Sequence, residues 1–115
     1  MDTYQHADAQ LDALGDATRR AIIARLLDGP LPVGELASEF PISRPAISQH
    51  LRVLKDAALV IDVPMGNQRV YELNPKGFDL LRDYFDQFWT LVLAAFKEAV
   101  EAQPSRKVKR PRRKQ

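Results

Sequence analysis

SRPAISQHLRVLKDAALV, residues 43–60, is the stretch on which the fold turns. Ser43 is a natural N-cap, because its hydroxyl can accept from a first-turn N–H, and Pro45 falls where a missing N–H has no intrahelical partner anyway. Ile47, Leu51, Leu54 and Ala58 then recur at spacings of four, three and four, which predicts one apolar stripe along an α-helix. The opposite face carries Arg44, Pro45, Ser48, Gln49 and Arg52, each small, polar or cationic. One side of this helix is made for a core, the other for water or a polar partner.

Upstream, PVGELASEF (32–40) reads as a short helix burying Val33, Leu36, Ala37 and Phe40, separated from the first by a break over residues 41–44. Before it, ATRRAIIARLL (17–27) places Ile22, Ile23, Leu26 and Leu27 at helical spacing behind an Asp16 cap, and Asp28-Gly29-Pro30 stops it. Leu11, Ala13 and Leu14 form a short apolar patch ending at Gly15, and residues 1–9 are expected to be a flexible N-terminus. Downstream, LVIDVP (59–64) and RVYEL (69–73) flank a glycine-bearing turn over 65–68 and predict a β-hairpin. Asn74-Pro75 opens a last helix running to about Gln103, with Phe78, Leu81, Phe85, Phe88, Val92, Phe96 and Ala99 on one stripe. Leu80, Tyr84, Trp89, Leu91, Leu93 and Val100 widen that stripe well beyond one face. The expected fold is mainly α with a small β-hairpin, one domain over 10–103 followed by a disordered basic tail over 104–115.

Two short helices joined by a three- or four-residue turn, the second with a polar, basic outer face, form a helix-turn-helix (33–56). The hairpin behind it (59–73) is then a wing. The major groove of DNA admits one helix and shows a distinct donor and acceptor pattern on each base edge. Gln49 suits adenine, Arg44 or Arg52 suits guanine or phosphate, Ser48 suits either, and Pro45 can pack on a thymine methyl. Ser43 and the helix N-terminus offer N–H groups to a phosphate, and Arg69 beside the wing tip reaches the minor groove or a flanking phosphate.

The charge distribution fits. Seven of the 17 basic side chains lie between 106 and 114, so the rest of the chain carries 10 against 15 acidic ones. The segment 42–76 is nonetheless locally positive, with Arg44, Arg52, Lys55, Arg69 and Lys76 against Asp56, Asp62 and Glu72. A positive stretch and a basic tail on an acidic body suit a polyanion; charge alone does not separate DNA from RNA or an anionic membrane, and a solvated extension is the other reading of the tail. The 115 residues suit one core, and the absence of cysteine removes disulfides, thiolate metal sites and cysteine nucleophiles. The longest nearly apolar run, Phe88 to Phe96, falls short of the roughly 18 residues a membrane span needs. The N-terminus has no secretory character, so a soluble cytoplasmic protein is expected.

LGDATRRAI (14–22), GELA (34–37) and the 43–60 string together resemble the ArsR family of winged-helix bacterial transcriptional repressors, over roughly residues 10–102. The resemblance implies that 33–40 is the first helix of the motif, 44–56 the recognition helix and 60–73 the wing. It also implies homodimers paired through the first and last helices, here Leu11, Leu14, Phe85, Phe88, Trp89, Val92, Leu93 and Phe96. A last helix apolar on nearly all sides agrees, since one small domain covers only one face of it. A two-fold dimer sets recognition helices roughly 34 Å apart on a pseudopalindromic operator in double-stranded DNA. Family members that sense metals place cysteines where this chain reads VGELAS (33–38), or use histidine and carboxylate ligands on the last helix, which here has no histidine. Asp79, Asp83 and Asp86 share helical spacing, a pattern more typical of a solvated face than of a cation site. No metal site and no cofactor are expected, and the chain resembles the metal-independent branch that includes SdpR-type autorepressors. His6 is read as inert and His50 as a packing or backbone-bonded residue. No catalytic constellation is present, so an enzyme is not expected, and no motif names an effector. The competing class is a winged-helix protein–protein interaction module that does not bind DNA.

Overall fold

The computed structural model describes residues 3–102. Five helices and three strands follow in the order α1 (Thr3–Ala13), α2 (Ala17–Leu26), β1 (Leu31–Pro32), α3 (Val33–Ser38), α4 (Arg44–Asp56), β2 (Val60–Met65), β3 (Gln68–Leu73) and α5 (Pro75–Glu101). The chain divides into two compact units between Tyr84 and Phe85. The basic tail falls outside the described residues.

In the first unit, Ile22, Leu26, Leu36, Ile47, Leu51, Leu54, Leu59 and Val60 form one buried cluster, with Leu14, Phe40, Tyr71, Leu73 and Phe78 packed at its margin. Each full burial of a side chain of this size contributes about 1.5–3 kcal/mol. The starts of α2 and α4 are set by side-chain caps. Asp16 accepts from the Arg19 amide at 3.0 Å, and Ser43 Oγ accepts from the Ala46 amide at 3.2 Å with Pro45 in the first turn.

Three expectations change. Residues 1–9, expected to be flexible, are helical from Thr3, and Ala7 and Gln10 are fully buried. Their small and polar side chains concealed this: Gln10 reaches the core by donating Nε2 to the Gly77 carbonyl at 2.7 Å. Ala58, expected on the apolar stripe of the recognition helix, lies beyond its end at φ 64°. There the Ala58 amide donates to Lys55 O at 2.9 Å and the Leu59 amide to Leu54 O at 2.9 Å, a Schellman closure with alanine where glycine is usual. Finally, the hairpin gains a third strand. The two-residue β1 pairs antiparallel with β3, Leu31 opposite Tyr71, giving the order β1-β3-β2. Between β2 and β3 the turn closes at Gly66, whose φ of 64° suits a residue without a Cβ.

β2 is an outer strand, and its alternation sets what the wing shows to each side. Ile61, Val63 and Met65 are exposed, while Asp62 points the other way. In the second unit, the helix beyond Phe85 leaves Trp89, Leu93 and Phe96 between 56% and 63% exposed. The Phe88 and Trp89 rings there meet edge to face, 6.2 Å between centroids.

Candidate nucleic-acid interface

The motif's first helix is held from behind. Arg25 on α2 forks onto Glu39, just past α3, with bonds of 2.6 and 3.1 Å. This exposed pair contributes modestly to stability and ties α2 to the C-cap residue of α3. The turn over residues 39–43 then aims α4 outward. Ile47, Leu51 and Leu54 fill the core, so helical geometry puts Ser43, Arg44, Pro45, Ser48, Gln49 and Arg52 on the exposed side, where the structure brings all six together. Arg44 and Arg52 make no hydrogen bond or ion pair among the described residues. Ser43 spends only acceptor capacity on its cap, so its hydroxyl proton is still available to a phosphate.

The wing lies alongside this face and leaves two clefts. One, of about 380 Å³, opens between α3, the start of α4 and the wing tip, with Arg44, Asn67 and Gln68 in its wall. The other, of about 510 Å³, runs between α4 and the strands and is lined by Arg52, Lys55, Asp56 and Asp62 among others. Ser48, Arg69 and Tyr71 line both.

Arg69 is not the free arm that the sequence suggests. Its Nη1 donates to Asp62 Oδ2 at 2.6 Å, while Lys55 Nζ lies 2.9 Å from Oδ1. The Lys55 bond, more than the nearby Lys55 and Arg69 charges, holds the Asp62 carboxyl below its usual range against the opposing effect of burial. Lys55 was legible, since it continues the face of Ser48 and Arg52 by one helical turn. Asp62 was not: a lone acid in a β run carries no signal until the register places it.

The half-buried His50 side chain packs inward, and among the described residues it makes no bond to the backbone. Its Nδ1 lies 3.2 Å from Arg19 Nη1 and 3.9 Å from Asp16 Oδ2. A guanidinium only donates, so the Arg19 contact requires Nδ1 as acceptor and the ring proton on Nε2. Arg19 Nε donates to Ala13 O at 2.6 Å, so this network fastens the turn before α2 to the back of α4. The Arg19 amide bond, helped by the Arg19 charge and opposed by partial burial, lowers the Asp16 pKa. Among the described residues no three of His, Cys, Asp and Glu gather closely enough to hold a metal ion, and no described helix is long and apolar enough to cross a membrane.

A helix-turn-helix with a cationic second helix and a β wing beside it defines the winged helix-turn-helix class. The profile described as bacterial regulatory protein, arsR family, matches residues 16–62. The chain is 52% identical over 103 residues to the HTH-type transcriptional regulator Rv2034 of Mycobacterium tuberculosis, covering 90% of this chain and 96% of that one. It is 42% identical over 62 residues to the transcriptional repressor SdpR of Bacillus subtilis, covering 54% and 69%. Among solved structures, an ArsR-like transcriptional regulator from Rhodococcus sp. RHA1 superposes with a TM-score of 0.72 at 29% identity, covering 84% of this chain and 94% of that one. The chain belongs to the ArsR family of bacterial regulatory proteins.

Proposed function

We propose that this chain is a sequence-specific DNA-binding transcriptional repressor. It acts as a homodimer on a pseudopalindromic operator, needs no metal ion, and belongs with the SdpR-like branch of its family. The observation that carries the reading is the outer face of α4, where Arg44, Ser48, Gln49 and Arg52 are exposed and both arginines lack an acidic partner among the described residues. Two uncompensated guanidinium groups beside Gln49 on one face give a polyanion both charge and base-edge donors to meet. Membership of a regulator family and the named repressor among its relatives support the same reading.

The dimer is supported by the second unit. Trp89, Leu93 and Phe96 stay more than half exposed on one helix, and contiguous apolar surface of that kind marks a protein interface. A second copy covers it, with Phe85, Phe88 and Val92 in the same seam, and Leu11 on α1 and Leu14 just past it are proposed as the contacts that the first unit offers a second copy. Leu14 already packs in part against the core of its own chain, so its share is the smaller.

The deciding experiment titrates the protein against its own upstream promoter region, with unrelated DNA of equal length as control, at near-physiological salt. A preference of about a thousandfold or more is expected and marks an autoregulator. Equal, salt-sensitive binding to both removes autoregulation and leaves a target elsewhere. Absence of binding to either turns the reading to a protein–protein module.

A further inference from the structure

Asp62 sits where the wing meets the recognition helix, and only 8% of its side chain is exposed. Each of its oxygens serves one cation from a different element: Lys55 from the last turn of α4 at 2.9 Å, and Arg69 from β3 at 2.6 Å. The two cations remain in water, with 52% and 58% of their side chains exposed. Ion pairs this exposed on the cationic side contribute little to stability. What the arrangement does impose is geometry. Lys55 and Arg69 are long side chains with several free torsions, and a shared, sheltered carboxylate limits where their charges can go. The cluster keeps a net positive charge and faces the same cleft as Ser48 and Arg52.

From this geometry we infer that Asp62 is a positioning residue that sets discrimination between DNA sequences, by tethering Lys55 and Arg69 to one docking register. The inference rests on the DNA-binding reading above. Untethered, the two cations meet phosphates wherever they fall, which strengthens binding to DNA in general and carries no sequence information. Tethered, they reach phosphates only when α4 is seated in the groove and the wing lies against the flank.

The test compares wild type with Asp62→Asn, a near-isosteric change that leaves an oxygen to accept from one cation. Two duplexes of equal length are titrated over a salt series: one selected by the wild type from a randomised pool, and one of shuffled sequence. For Asp62→Asn the shuffled duplex is expected to bind more tightly, with a salt slope steeper by about one. The ratio of selected to shuffled affinity should fall by roughly fivefold or more, within the range that separates specific from general binding. Asp56→Asn is the control for charge alone, since Asp56 is exposed on the same cleft and lies outside the Asp62 tether. In a Lys55→Ala, Arg69→Ala background, Asp62→Asn should change the ratio no more than Asp56→Asn does.

An unchanged ratio overturns the inference, and so does a fall no larger than that of Asp56→Asn. A parallel loss on both duplexes with a lowered melting temperature assigns Asp62 to wing stability instead and overturns it as well. A wild type that enriches no sequence from the pool refutes the DNA-binding reading and this inference with it. That outcome is read from the wild type alone, so the two failures are distinguishable.

Discussion

At the scale of single residues, the tightest constraint lies behind the proposed DNA-facing surface. A Cβ on Gly77 would stand 1.6 Å from the Ala58 carbonyl oxygen, which also accepts from Asn74 Nδ2 at 3.0 Å. Gly77→Ala therefore forces backbone apart at a fully buried junction, and is expected to cost about 1–3 kcal/mol, as overpacked cores do. Ala58→Gly is the converse case. Ala58 holds a left-handed conformation at φ 64°, so glycine there should relieve up to about 1 kcal/mol of strain and raise the melting temperature by a few degrees. Thermal melts of the two variants should move in opposite directions, and a shift of the same sign for both would refute the packing argument. On the outer face the constraint is chemical. Gln49→Ala or Arg52→Ala should cost about 1–3 kcal/mol at the operator if the residue reads a base bidentately, with folding unchanged because both side chains are exposed. Gel shifts unaffected by either replacement would remove that assignment.

At the scale of elements, the helices with a local start signal and apolar residues at helical spacing were legible from the sequence: α2 behind Asp16, α4 behind Ser43, and α5 from Pro75. So was the hairpin, whose glycine turn and β-branched runs are local signals. What escaped was stabilised from a distance. β1 is two residues long and exists only because Leu31 finds Tyr71 across the sheet. The first turns of α1 have no apolar periodicity to show, and Gln10 is buried because a carbonyl 67 residues away accepts its proton. The candidate site divides the same way. Ser43 and the five α4 residues follow from the cap and helical phase, but the ties between elements do not, and Arg69 could not be known to face Asp62. Those ties also set an acid limit. Asp16 and Asp62 both have pKa values held below the ordinary 3.8, by the Arg19 amide and by Lys55 respectively. A carboxylate with a depressed folded pKa adds stability that is complete above the unfolded value and is lost as pH falls through the folded one. The melting temperature should therefore hold from neutral pH down to about pH 5 and drop below about pH 4. Asp62→Asn should remove part of that drop in a calorimetric pH series. An identical acid profile for the variant would show that the Lys55–Asp62–Arg69 cluster contributes nothing to folding.

At the scale of the whole molecule, the proposed repressor depends on what a second copy supplies. One recognition helix reaches a handful of base edges, and a domain of this size buries too little DNA surface alone for the discrimination a regulator needs. Joining two copies makes the second half-site contact effectively intramolecular, which raises affinity by orders of magnitude without any new contact. The apolar ridge of α5 is the place to break that link, because Leu93 is 60% exposed and makes no part of the core cluster. In the proposed dimer, Leu93→Glu puts a charge into the seam twice, once from each copy, where burial without a partner is costly. Sedimentation should then report a monomer whose melting transition is retained. Affinity for a full operator should fall by about a hundredfold or more, the scale of the lost avidity, while affinity for an isolated half-site changes little. A variant that still sediments as a dimer would place the dimer contacts elsewhere on the chain. A monomer that still binds the full operator like the wild type would mean that one copy carries the whole recognition, and the pseudopalindrome would lose its reason.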